Sequence, residues 1–289
     1  MGLSVNTNVA AINAYRNLST TQNSLSKSLE KLSSGYRINR AADDAAGLAI
    51  SEGLRSQVSG LTQAARNAQD GISVVQTAEG SLTEVHSILH RMRDLAVQAA
   101  NDSNSEDART NIATEATQLN EELTRIANST NFNGTTLLDK VSGATGSTLS
   151  FQVGADGDTA SQITVDLSSA NVASVADAVS FAATSAGTTG LNLFSAASAQ
   201  AAITAIDAQI KNVSTARANL GAYQNRFEHT INSVNVAVEN LSASESRIRD
   251  TDMASEMVNF TKSQILSQAG TAMLAQANSI PQGVLQLLQ

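Results

Sequence analysis

Two of the three histidines, His86 and His90, are four residues apart, a spacing that places both imidazoles on one face of a helix and can bind a metal ion. The glutamate of a His-Glu-x-x-His motif is missing, and Arg91 and Arg93 beside the pair oppose a cation. The third histidine, His229, is far away in the sequence. We therefore interpret the pair as solvent-facing residues of a long helix and predict no metal site.

The acidic residues offer no better candidate for catalysis. Asp43 and Asp44 are adjacent, and the side chains of adjacent residues on a helix point about 100° apart. We therefore interpret them as anions at a helix start and not as a catalytic pair. Asp156 and Asp158 flank a glycine, but the other ligands of a calcium loop are missing, and a turn between strands explains them better. Cysteine is absent, which excludes disulfides and a cysteine nucleophile. We predict no catalytic residue and no cofactor.

The composition favours long helices. The 289 residues include a single proline, Pro281, and aromatic residues make up 3%, so small aliphatic side chains supply most of the apolar surface. A net charge of −8 without a basic stripe argues against a nucleic-acid partner. No run of about 20 apolar residues predicts membrane insertion, and the N-terminus lacks the features of a secretory signal peptide.

Apolar residues recur at alternating spacings of four and three, a pattern typical of helices that pack side by side. The first stretch is predicted to end at Gly35, because glycine readily adopts the left-handed conformation that closes a helix. Ser103 and Glu106 fit a capping box that opens the third stretch, and Pro281 is predicted to stop the last one after Ser279. The five stretches cover residues 11–35, 54–99, 103–128, 203–248 and 253–279.

Residues 131–171 have a different pattern, in which glycines punctuate short runs of alternating apolar residues typical of strands. The stretch from Gly154 to Asp158 lies between two such runs and predicts the turn of a β-hairpin. A short helical segment at residues 172–181 and a turn region up to residue 189 follow.

The order of these stretches is nearly palindromic, which predicts that the first helix pairs with the last and the second with the fifth. We therefore predict a mainly α fold of long antiparallel coiled-coil helices from both termini, with a small β-hairpin region at the distal tip. Residues 1–42 and 250–289 would form a terminal coiled-coil domain. Residues 43–249 would form a helical rod domain that includes the hairpin region at about residues 131–171.

Both terminal helices have apolar stripes interrupted by polar residues such as Gln22 and Gln264. Unpaired stripes of this kind on an acidic chain favour contact with other copies of the chain or with a dedicated partner. We predict a self-assembling rod. Its terminal assembly seam comprises Leu18, Leu25, Leu29, Leu32, Val258, Ile265 and Ala272.

The most specific stretch runs from Ser34 to Ser51 and reads SGYRINRAADDAAGLAIS. It resembles the motif Ser-Gly-x-Arg-Ile-Asn-x-Ala-x-Asp-Asp-Ala-Ala-Gly-Leu-Ala-Ile of bacterial flagellins, the subunits of the flagellar filament. Supporting similarity lies in both terminal thirds of the chain. It covers Asn6-Thr7-Asn8, residues 93–102, residues 132–134, residues 220–227 and residues 264–278.

The resemblance implies a non-enzymatic structural subunit that assembles helically into the filament for motility, with paired terminal helices lining the filament core. It implies secretion through the flagellar type III apparatus to the extracellular filament, which would explain the missing signal peptide. The implied partners are other copies of the chain, the filament cap and hook-junction proteins, and a secretion chaperone that binds the C-terminal helix before export. About 70 residues separate Phe132 from the heptad pattern starting at Ile203, so large variable outer domains are absent.

Three alternatives fit the sequence less well, the last two because it lacks the motif or the membrane span that they need. The hook-filament junction protein belongs to the same superfamily, although Asp43 to Leu48 and Gln276 to Asn278 favour flagellin proper. A flagellin with an inserted metalloprotease would need a His-Glu-x-x-His motif. A chemoreceptor-like signalling rod would need a membrane span.

A recognition site is implied by resemblance to flagellins that host Toll-like receptor 5 detects. That resemblance points to the second helix, with Glu115 on the neighbouring helix. Arg91, Leu95 and Gln98 are spaced by four and three, which predicts one outward stripe with Leu95 as an apolar anchor. The same stripe could instead pack against the next subunit.

Overall fold

The structure is a computed structural model that describes residues 7–139, 148–181 and 190–287, with side chains as far as residue 279. Most of the described chain is helical. The helices are α1 (Val9–Ser34), α2 (Ala45–Ala99), α3 (Glu106–Ser129), α4 (Val172–Ala178), α5 (Ala196–Arg249) and α6 (Met253–Leu287). The strands are β1 (Asn131–Phe132), β2 (Thr135–Thr136), β3 (Thr148–Gln152) and β4 (Gln162–Asp166). The mainly α class with a small antiparallel β region is confirmed, and the predicted turn region at residues 182–189 lies outside the described residues.

Contacts divide the chain into two compact units, Met1–Val58 with Glu239–Gln289 and Ser59–Val238. In the first unit, α1 and α6 pack side by side. They are antiparallel, because Ser28 near the end of α1 donates a hydrogen bond to Glu256 near the start of α6. The predicted pairing of the terminal helices is confirmed, whereas the predicted domain boundaries at residues 42 and 250 stay a prediction.

In the second unit, α2 and α5 also run antiparallel. Gly71 of α2 lies against the ring of Phe227 of α5, and a Cβ atom on this glycine would come within 2.7 Å of the ring. Apolar side chains from every long helix of this unit join one core. Its largest fully buried members are Leu82, Leu89, Met92, Leu95, Leu123, Leu137, Leu138, Leu167, Leu193, Ile206 and Phe227.

The predicted β-hairpin is confirmed. Strands β3 and β4 pair antiparallel on either side of the predicted turn, with Phe151 opposite Ile163 in the register. The Phe151 ring meets the Phe227 ring of α5 edge to face at 5.5 Å between centroids. The side chain of Asn67 on α2 donates a hydrogen bond to the Gln152 carbonyl at 3.0 Å. Apolar and polar contacts thus attach the hairpin to both long helices.

A second, very short hairpin joins β1 to β2. Its turn residues Asn133 and Gly134 both have positive φ, at 50° and 80°, as a tight two-residue hairpin turn requires. We did not assign this hairpin from sequence, although its Asn-Gly pair is a strong turn signal.

The helix ends test three predictions. Gly35 closes α1 in the left-handed conformation with φ 76°, as predicted. The predicted capping box at Ser103 is wrong, because α3 starts at Glu106 and Ser105 caps it by accepting a hydrogen bond from the Ala108 N–H. The serine directly before the first helical residue is the one whose oxygen reaches the free amides.

The predicted stop at Pro281 is also wrong, since α6 continues to Leu287. Proline deprives the carbonyl four residues earlier, that of Ala277, of its helical donor. The side chain of Asn8 supplies a donor instead, at 2.8 Å. Among the described residues, no helix is long and apolar enough to cross a membrane.

Candidate functional site

Helix α6 has an inner face that packs against α1 and an exposed outer face. The inner face, which packs against α1, shows the four-and-three spacing of a coiled-coil seam. Gly270 lies close to Leu18 of α1, and Glu256 accepts a hydrogen bond from the buried Ser28 at 2.5 Å. The residues of this inner face are Glu256, Phe260, Ser263, Ser267, Gly270, Leu274 and Ala277, and each is less exposed than its flanking residues.

The outer face of α6 comprises Val258, Ile265 and Ala272, which are seven residues apart and exposed, whereas the exposed Leu266 and Met273 border the groove between α6 and α1. Val258 is 67% exposed and Ile265 61%. Exposed apolar side chains on a soluble protein mark a surface that binds a partner when they cluster. Val258 and Ile265 line one shallow apolar groove with Met257 and Leu266.

The structure therefore divides the predicted assembly seam into two groups. Leu18, Leu25 and Leu32 are half-buried on the side of α1 that faces α6. The other four members are exposed and free to contact another molecule. These are Leu29, Val258, Ile265 and Ala272.

The motif SGYRINRAADDAAGLAIS connects α1 to α2 and contacts the end of α5. The Arg37 N–H donates to the Arg249 carbonyl at 2.7 Å. The Arg249 guanidinium lies 4.7 Å from the centre of the Tyr36 ring and forms a salt bridge with Glu52 at 2.7 Å. Cation–π and ionic contacts thus hold Arg249 from two sides.

The two adjacent aspartates of this motif work at a helix start, as predicted. Asp44 caps α2 by accepting a hydrogen bond from the Gly47 N–H at 2.8 Å. Asp43 accepts from the Arg40 and Asn39 amides, and these bonds, the one from Arg40 foremost, lower the pKa of Asp43 below its ordinary value. Both carboxylates are structural in this arrangement.

The residues of the predicted recognition stripe are only partly brought together. Arg91 forms a salt bridge with Glu115 of α3 at 2.6 Å, and Gln98 is exposed. Leu95, however, is 2% exposed, so the prediction that it points outward is wrong. Helix α2 has packing partners on more than one side and therefore buries a wider apolar face than a single seam.

The imidazoles of His86 and His90 meet at the surface of α2, where their Nε2 atoms share a hydrogen bond of 3.0 Å whose donor depends on the tautomers of the two rings. His86 is half-buried, and its Nδ1 atom is buried without a hydrogen-bond partner. Burial, then the neighbouring His90 and Arg217, lower the pKa of His86 below its ordinary value. No group of three or more potential metal ligands occurs among the described residues.

Both ends of the chain match profiles of one protein family. Residues 5–142 match the bacterial flagellin N-terminal helical region, and residues 203–288 match the bacterial flagellin C-terminal helical region. The chain belongs to the bacterial flagellin family.

Related flagellins extend over the whole chain. The flagellin of Halalkalibacterium halodurans is 52% identical over 285 residues, and that of Bacillus subtilis is 48% identical over 302 residues, each covering 99% of both chains. A crystal structure of Bacillus cereus flagellin is 31% identical, with a TM-score of 0.49, and covers 62% of this chain and 94% of that chain. Flagellins are structural proteins of the extracellular flagellar filament, and the predicted function as a filament subunit is confirmed.

Sequence analysis missed two residues that hold helix ends of this flagellin in place, Asn8 and Arg249. Asn8 lies in the Asn-Thr-Asn motif that supported the resemblance, and its cap on α1 is a signal that sequence could have supplied. Arg249 had no local signal, because its partners Tyr36 and Glu52 are about 200 residues away in sequence.

Proposed function

We propose that this flagellin polymerises through the outer face of α6 together with the exposed apolar residues of α1. Residues 1–42 and 250–289 form the filament-core domain, and residues 43–249 form the rod domain. The observation that supports this proposal is the exposed apolar outer face of α6 opposite the side that binds α1. The apolar residues of α1 that contribute are Val9, Ile12, Tyr15 and Leu29, each at least half exposed.

The energetics favour burial of this face in a polymer. Moving a large aliphatic side chain from water into a packed interface gains about 1.5–3 kcal/mol. Several such side chains on each subunit offset the entropy of fixing one molecule beside the next. Polar residues such as Gln22 and Gln264, which interrupt the apolar stripes, limit the affinity between any two isolated helices.

A double substitution tests this proposal. Val258→Gln with Ile265→Gln removes apolar area from the outer face without touching the inner face. We expect the critical concentration for filament formation to rise by at least about tenfold, with helix content of the monomer unchanged by circular dichroism. The matched control is Asn259→Gln with Gln264→Asn, which changes exposed polar residues of the same helix. Equal critical concentrations for the first variant and wild type would overturn the proposal.

We infer that the monomer is secreted through the flagellar type III apparatus and that a chaperone covers the C-terminal helix before export. An uncovered outer face would promote premature assembly inside the cell, which supports this role. The filament cap and hook-junction proteins complete the set of partners. Co-purification of a chaperone with the full chain, but not with the Val258→Gln, Ile265→Gln variant, tests the location of its site.

We further propose Arg91, Glu115 and Gln98 as contacts for host Toll-like receptor 5. Arg91 and Gln98 are exposed, and the Arg91–Glu115 salt bridge joins α2 to α3 at this surface. Arg91→Ala should weaken receptor activation by the monomer, with Arg66→Ala, an exposed arginine of the same helix, as the control. Unchanged activation by Arg91→Ala would argue that this surface serves only subunit packing.

A further inference from the structure

The two imidazoles on α2 lie one helical turn apart and contact each other. Their Nε2 atoms are 3.0 Å apart, and their rings are nearly perpendicular, at 77°. We propose that His86 and His90 form a bidentate site for a divalent transition-metal ion of the Ni²⁺ and Cu²⁺ class.

In the ion-free protein the two nitrogens are at hydrogen-bond distance, and their separation also bears on the class of metal that could replace the shared proton. With metal–nitrogen bonds of about 2.1 Å, two ligands at a right angle are about 3.0 Å apart, and two ligands at a tetrahedral angle are about 3.4 Å apart. The observed separation of 3.0 Å matches the right angle. Octahedral or tetragonal ions such as Ni²⁺ and Cu²⁺ therefore fit the pair better than tetrahedral Zn²⁺.

The burial of each ring leaves the correct nitrogens available. Nδ1 of His86 is buried without a hydrogen-bond partner, so an ion can reach this ring only through Nε2, and the proton that Nδ1 then carries has no acceptor, which lowers the affinity of the site. His90 is exposed, and its Nε2 lies beside that of His86. Helix α2 continues well beyond the pair in both directions, so the backbone holds the two rings one turn apart before any ion arrives.

Nearby cations were the sequence-based argument against a metal, and the structure weakens it. Each neighbouring guanidinium lies beside a carboxylate, which offsets part of its repulsion toward an incoming cation, although the charge of Arg217 still acts on His86. The salt bridges are Arg91–Glu115 at 2.6 Å, Arg93–Asp207 at 2.6 Å and Arg217–Glu79 at 3.6 Å.

The remaining coordination positions belong to water or to another small ligand, because the described residues provide no third protein ligand. The site is therefore open and exchangeable, unlike a closed structural metal centre. An ion that bridges His86 and His90 also links successive turns of α2 and stabilises the folded state by mass action.

Titration of the full-length monomer with Ni²⁺ by calorimetry tests the site. His90→Gln is the main variant, because His90 is exposed and its loss leaves the core intact. We expect the affinity of this variant for Ni²⁺ to fall by more than about tenfold. Loss of a direct ligand should cost more than loss of an outer-shell partner, which typically costs at least about tenfold. His229→Gln, which changes the remaining histidine, is the matched control and should bind as wild type does.

Thermal unfolding supplies a second readout. Ni²⁺ should raise the unfolding temperature of wild type and of His229→Gln, but not that of His90→Gln. Wild-type affinity in His90→Gln would overturn the proposal, as would a loss of binding in His229→Gln alone.

Discussion

Asn8 donates a hydrogen bond from Nδ2 to the backbone carbonyl of Ala277 at 2.8 Å, across 269 positions in the sequence. This is the carbonyl that Pro281, which has no N–H, leaves without its helical donor. The Oδ1 atom of the same side chain accepts from the Ala11 N–H at 3.0 Å and caps α1. One amide therefore begins α1 and replaces the hydrogen bond that α6 lacks where it continues to Leu287.

Replacing Asn8 with aspartate should destabilise the full chain by about 1–2 kcal/mol, because the buried Ala277 carbonyl loses its donor while the oxygen that caps α1 remains. Urea unfolding measures the loss. In a Pro281→Ala background, the new backbone N–H serves the carbonyl, and Asn8→Asp should cost clearly less. Equal losses in the two backgrounds would show that Asn8 and Pro281 are not linked.

Leu95→Ala should cost about 2–5 kcal/mol of unfolding free energy, because it leaves a cavity at a side chain that is 2% exposed. The control is Val97→Ala on the same helix, where the side chain is 48% exposed and the expected change is within about 0.5 kcal/mol. Chemical denaturation of both variants makes the comparison. A small effect at Leu95 would mean that this leucine is accessible after all.

Two glycines of α2 should respond in opposite directions to alanine. Gly71→Ala places a methyl group 2.7 Å from the buried Phe227 ring and should destabilise the protein by about 1–3 kcal/mol. Gly80→Ala places its methyl group in open space and should stabilise the helix by up to about 1 kcal/mol. Unfolding temperatures report both signs, and a stabilising Gly71→Ala would contradict the close approach of α2 and α5.

The Asp43 carboxylate should make stability depend on acid pH. Its pKa is lowered in the folded state, so the unfolded chain takes up a proton first as the pH falls. The stabilising contribution is complete above the ordinary aspartate pKa of about 4 and disappears as the pH falls through the lowered value. Asp43→Asn should therefore be less stable than wild type at neutral pH, and the difference should shrink in acid.

Thermal unfolding across this pH range measures the difference, and Asp70→Asn, at an exposed position of α2, is the control. Parallel pH profiles for wild type and Asp43→Asn would contradict the role of the Arg40 and Asn39 amides.

Local patterns were sufficient to predict the long helices and the hairpin of β3 and β4. The four-and-three spacing predicted the long helices, Gly35 predicted the end of α1, and the stretch from Gly154 to Asp158 predicted the turn between β3 and β4. Each of these signals acts over a few residues, through backbone conformation or the period of side chains along one face. The motif beginning at Ser34 identified the family because it, too, is a continuous stretch of sequence.

Only the tertiary structure decided how these elements use their faces. Leu95 is buried because α2 packs against more than one neighbour, and Val258 and Ile265 are exposed because α1 occupies the other side of α6. The helix passes Pro281 because Asn8, from the opposite end of the chain, reaches the carbonyl that proline leaves unpaired. Periodicity states that a helix has an apolar face, but which neighbour covers that face depends on contacts between residues far apart in the sequence.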